Sequence, residues 1–160
     1  MKNEFLISTV VENKPGVLYR AANVFRQRGY NIRSISVGEL SDSSMSRMTF
    51  TVDAEKSEIN QLVSVMNKQT DVVEAKVLDT NRIIKKELAL IKIYVNDPKF
   101  IPKIRDIANI GTIIDESMKS IVVEITGTSE KIVDFINNVS KYGKVEIART
   151  GLTAIERGEQ

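Results

Sequence analysis

The chain has 160 residues and contains neither cysteine nor histidine. Without cysteine there can be no disulfide, no thiolate metal site and no thiol nucleophile. Without histidine the side chain that most readily moves protons near neutral pH is missing, and catalysis would have to run on carboxylates, lysine or tyrosine. No apolar run approaches the roughly 20 residues that span a bilayer. The opening MKNEFLISTVVEN carries Glu4 and reads as a strand rather than a secretory signal, so a cytoplasmic chain without membrane association is expected. Charge of one sign is also lacking: 23 Lys and Arg face 21 Asp and Glu, net +2, with no basic run longer than Lys85-Lys86. Nucleic-acid binders usually gather a basic stripe, so no nucleic-acid partner is expected. Nor is there a GxxxxGK[ST], GxGxxG or GxSxG motif, which removes the phosphate loop, the dinucleotide fingerprint and the hydrolase elbow. No catalytic or metal-binding constellation is visible.

What is present is ordinary globular material: 42% apolar and 28% charged residues. The length allows one domain or two of about 80 residues. Glycines fall between periodic segments or near their ends. Phe5 to Val11 is apolar on both faces, as in an inner strand. Val17, Leu18, Ala21, Val24 and Phe25 recur at helical spacing, and Arg28-Gly29 stops that helix. YNIRSISVGEL and MSRMTFTVD read as a hairpin of strands, with Met48, Phe50 and Val52 on one face. Ile59, Leu62, Val63 and Met66 mark a second helix with Ser57 as its expected cap. Val73, Ala75 and Val77 mark a fourth strand. The order βαββαβ over residues 3–80 predicts a split βαβ, ferredoxin-like unit.

TNRIIKKE is polar enough to be a link, with residues 81–87 as its extent. The same order then repeats over 88–160: LALIKIYVN, a helix opened by Asp97 and Pro98 or by Pro102, TIID and SIVVEIT around the turn ESMK, a helix capped by Thr128, and KVEIAR. The fold class is α+β, two ferredoxin-like βαββαβ domains. GLTAIERGEQ has no evident partner. Leu6, Val10 and one face of the second strand leave apolar surface away from the helices, which predicts a homodimer or packing between the halves.

The one chemically suggestive stretch is ENKPGVLYRAANVF. A helix start exposes unpaired N–H groups and a partial positive charge, which suit a carboxylate. Gly16 allows close approach to the backbone, Val17 and Leu18 supply N–H groups, and the Asn13 amide can donate and accept. Pro15-Gly16 can also be only a turn with Asn13 bonding at the helix entry, and spacing alone favours that plainer reading. Glu55 and Glu58 read as solvated acids at a helix start, and Lys85, Lys86 and Glu87 as solvated linker charges.

ENKPGVL, RQRGYNIRSISVG and SRMTF together resemble an ACT domain, and specifically that of the small regulatory subunits of acetolactate synthase (acetohydroxyacid synthase). KELALIKIYV, GTIIDES, ITGTSEKIVDFI and VEIARTGLTAIERG are similar to that family's C-terminal domain, so the likeness covers nearly the whole chain. The resemblance implies a non-catalytic chain with no cofactor of its own. Its partner would be a large catalytic subunit that condenses pyruvate with pyruvate or 2-oxobutyrate and carries thiamine diphosphate, Mg²⁺ and FAD. The small subunit would raise that activity and confer feedback inhibition by valine in branched-chain amino acid biosynthesis. It further implies that residues 3–80 serve effector binding and homodimerisation. The valine site would fall on Asn13, Gly16, Val17 and Leu18, completed by Asn31 and Ile32 from a second chain. Asn31 by itself also reads as a turn residue. A free-standing ACT-domain amino-acid sensor is the alternative. Two departures stand out: Ile110-Gly111-Thr112 occupies a place where relatives commonly carry basic residues, and position 15 is proline where some carry serine, which stiffens the loop without blocking it.

Overall fold

A computed structural model describes residues 3–158. They form two compact units, one of residues 3–84 with 151–158, the other of residues 85–150.

In the first unit, β1 (Asn3–Glu12), α1 (Val17–Gln27), β2 (Ile32–Glu39), β3 (Met45–Ala54), α2 (Lys56–Met66) and β4 (Val72–Val77) follow in the expected order. The strands form an antiparallel sheet ordered β2-β3-β1-β4. Strand alternation sends Ile7, Val11, Met48, Phe50 and Val52 to one face, where they pack with the apolar stripes of α1 and α2. Phe25 of α1 meets Phe50 with ring centroids 4.7 Å apart. The register of β2 shifts between Ile32 and Ser34. That bulge puts Ile32 and Ile35, three residues apart, against the same core, so the strand does not have a single apolar parity. A second shift, opposite Val10/Val11, leaves Val73 of β4 60% exposed.

The second unit repeats the plan with β5 (Ile83–Val95), α3 (Ile101–Ala108), β6 (Thr112–Glu116), β7 (Ser120–Gly127), α4 (Ser129–Val139) and β8 (Gly143–Arg149) in the order β6-β7-β5-β8. Ala89, Ile91 and Ile93 of β5 face Ile104 of α3 and Phe135 of α4 in its core. Asp97 caps a short 3-10 turn, Pro98–Phe100, and Pro102 lies in the first turn of α3, so both expected openers are used. Thr128 caps α4 as expected.

Four expectations change. The cap of α2 is Glu55, in a reciprocal capping box with Glu58, and Ser57 lies inside the helix. Residues 83–87, expected to be linker, are the start of strand β5. Glu87 is not a solvated charge but 6% exposed. Residues 151–158, read with the second domain and without a partner, belong to the first unit. There lies β9 (Thr153–Glu156), and Arg157 donates its N–H to the Arg82 carbonyl of the same unit. Leu152 and Ala154 bury Leu6, Leu78 and Ile83 on the sheet face away from the helices. Leu6 is thus covered by its own chain, and its apolar character is no argument for a dimer.

Candidate functional site

The loop between β1 and α1 is held at one end of the first sheet. The Asn13 N–H donates to the Ser44 carbonyl at 2.7 Å, and the Glu12 N–H to Asp71 at 2.9 Å. Val17 donates its N–H to the Lys14 carbonyl at 3.3 Å. Gly16 has φ 84° and ψ −8°, the values for the third residue of a type II turn that carries proline second. Pro15-Gly16 is therefore a turn, and the left-handed backbone is the reason for glycine. The turn does not exclude a ligand, because it leaves the helix mouth open. Among the described residues, the N–H groups of Leu18 and Tyr19 have no hydrogen-bond partner. No acidic side chain stands in the first turn of α1 to answer them.

A cation reinforces this mouth. A β-carbon on Gly16 would lie 3.0 Å from Nη1 of Arg20, so the guanidinium rests against the glycine. Arg20 Nε donates to Asp71 at 2.5 Å, which fixes it there. Sequence reading missed Arg20, whose signal was its place one helical turn after Gly16. Lys14 is close by in the chain. Its pKa is raised by its hydrogen bond and charge contact with Glu12, so it stays protonated at neutral pH. Helix N–H groups beside a guanidinium can take a carboxylate.

The six sequence-designated residues separate into three groups. Asn13, Gly16 and Leu18 are together and exposed at the loop, with Leu18 47% exposed. The Asn13 amide donates to Glu39 and to the Ser43 carbonyl, both at 2.9 Å, which leaves its oxygen to accept. Val17 does not line this opening: its side chain is buried in the core and its N–H is used in the turn. Asn31 and Ile32 stand at the start of β2, whereas Asn13 is bonded to Glu39 at its end. Seven strand steps of about 3.3 Å separate these ends by about 23 Å. One chain does not bring the two parts together. Asn31 is exposed, while Ile32 packs partly on the core.

Among the described residues no group of three or more carboxylates could hold a metal ion, and no helix is long and apolar enough to cross a membrane.

Comparison with known proteins assigns both halves. Residues 7–74 match the family model described as AHAS small subunit-like ACT domain, and residues 86–158 the one described as small subunit of acetolactate synthase. The chain is 41% identical over 158 residues to the acetolactate synthase small subunit of Bacillus subtilis, covering 97% of this chain and 91% of that one. It is 38% identical over 157 residues to a probable acetolactate synthase small subunit of Methanothermobacter thermautotrophicus, covering 97% and 94%. The crystal structure of the acetolactate synthase small subunit from Thermotoga maritima superposes with a TM-score of 0.86 at 37% identity, covering 99% of each chain. With both family models matched in order along one chain and both sheets built as two ferredoxin-like units, the protein belongs to the acetolactate synthase small-subunit family, with an ACT domain as its first unit.

Proposed function

We propose that this chain is a regulatory subunit of acetolactate synthase. It does no chemistry itself, binds a large catalytic subunit in the cytoplasm and raises its activity. It also makes that activity sensitive to valine, in the pathway to valine, isoleucine and leucine. Thiamine diphosphate, Mg²⁺ and FAD belong to the catalytic partner. The observation that carries the assignment is the end-to-end match to small subunits, 41% identical across 97% of the chain. The chain's own chemistry agrees with it, since a sequence without histidine or cysteine has little with which to move protons.

For valine, the carboxylate fits the open N–H groups of Leu18 and Tyr19 beside Arg20, and the ammonium fits the free oxygen of Asn13. The part at Asn31 and Ile32 is about 23 Å away along β2. A pocket using both parts takes them from two chains, which makes the working form a homodimer. Valine held across such a pair stabilises one arrangement of the chains. Inhibition follows only if that arrangement acts on the catalytic subunit differently from the empty one.

Reconstitution tests this. A cognate catalytic subunit is assayed on pyruvate with and without this chain, and valine is then titrated. Stimulation followed by valine inhibition is expected, and absence of stimulation overturns the regulatory reading. In Gly16→Asp a carboxylate opposes that of valine, so stimulation should survive while inhibition fails. Unchanged inhibition in that variant would remove the loop from the effector site.

A further inference from the structure

The first unit contains a second feature unconnected with the helix mouth. A cavity of about 300 Å³ lies between the sheet face away from the helices and residues 154–158. Ser8, Arg47, Glu74 and Lys76 supply its floor, from three adjacent strands. Leu78, Ala154 and Ile155 give it an apolar side. Its volume is at the lower end of the range for small-molecule sites.

Its charges are unevenly satisfied. Lys76 pairs with Glu156 at 2.5 Å and stands 4.0 Å from Glu74. Arg47 differs: among the described residues its side chain has no hydrogen bond and no ion pair, and its Nε is cut off from solvent. Arg47 as a whole is half-buried, so the enclosed Nε anchors the side chain while the guanidinium has none of the carboxylate partners such a group ordinarily finds. Among the described lining residues Lys76 is answered by Glu156 while Arg47 has no carboxylate, so one negative charge can be received at Arg47, where a dianion would meet more repulsion from Glu74 and Glu156.

We propose that this cavity binds a small aliphatic monocarboxylate, its carboxylate paired with Arg47 and its hydrocarbon end against Leu78, Ala154 and Ile155. Such a ligand touches the sheet and the closing segment at once, so its binding holds residues 153–158 on the sheet. The proposal does not depend on the valine site, and Gly16→Asp leaves it intact.

Butyrate is the probe, titrated into the full-length chain at constant ionic strength and followed by amide NMR. Saturable shifts are expected at Ser8, Ala154, Ile155 and Gly158, with none from propylamine. Phosphate should be much weaker, and equal binding of phosphate at these residues overturns the monocarboxylate assignment. Arg47→Met keeps the apolar stem and should weaken butyrate by at least about tenfold, with the remaining spectrum unchanged. Arg47→Lys, which keeps the charge but loses the planar fork, should recover only part of it. A second readout uses the unaltered protein: butyrate should slow amide exchange across residues 153–158. Absence of saturable shifts, or undiminished binding in Arg47→Met, overturns the proposal.

Discussion

A β-carbon on Gly143 would stand 1.8 Å from the Tyr94 carbonyl oxygen. The φ of Gly143 is 162°, an extended backbone open to any residue, so space and not conformation demands glycine at the head of β8. Gly143→Ala should therefore lower stability by about 3 kcal/mol, seen as a fall in the denaturation midpoint of the second unit. Glu87 is a different residue-scale constraint. Its carboxylate accepts two hydrogen bonds from Arg149, at 2.5 and 2.9 Å, and one from Ser129. Burial pushes its pKa up, but these bonds and the guanidinium charge outweigh it and hold the group below the ordinary 4.5. The sign follows: the pair's stabilisation is fully present above pH 4.5 and is lost as pH falls through the lowered value. Glu87→Gln should remove that acid-side dependence. It should also cost about 3 kcal/mol at neutral pH, because Arg149 is left without its partner. A pH series of urea melts measures both effects.

Among the helices, the starts differ in how they meet their unpaired N–H groups, and that difference separates structure from function. At α4 the Thr128 hydroxyl accepts from Lys131 N–H. Thr128→Ala should cost about 1 kcal/mol, measurable by thermal melting. At α2 the Glu55–Glu58 box does the same work. Among the described helices α1 and α3 both lack a side-chain cap and a first-turn acid, but α1 alone begins on a glycine, with a guanidinium beside it. Much of this was legible beforehand. Thr128, Asp97 and Pro102 announce their helices by chemistry that acts within one turn. The opening loop is legible in the sequence as a helix mouth, but Arg20 as its cation is not, and the Val17 N–H that spacing offers to a ligand is used by the turn. The strand bulges at Ile32–Ser34 and opposite Val10/Val11 were not legible, because a one-residue register shift leaves no mark in alternation.

At the scale of the whole molecule, the two βαββαβ plans complete themselves differently. The first unit takes back the chain at Gly151, where a β-carbon would lie 2.2 Å from the Ile35 carbonyl oxygen. Beyond it, the Leu152 N–H reaches Ser34 Oγ and Thr153 bonds Ser36. Leu152 is 5% exposed within the cluster that shields Leu6. Leu152→Ala should destabilise the first unit by about 2–5 kcal/mol, detected as faster amide exchange in β1. Unchanged exchange there would mean that the closing segment adds no stability to that sheet.

The sequence by itself determined the order of elements, the tight turn at Pro15-Gly16 and the poverty of proton-transfer groups, because propensity, periodicity and composition act over a few residues. Only the tertiary structure decided that Glu87 meets Arg149, 62 residues away, that residues 151–158 close the first sheet, and that Asn13 and Asn31 occupy opposite ends of β2. Those outcomes depend on which distant surfaces bury each other, and a local pattern of apolar and polar residues shows that a face must be covered without naming what covers it.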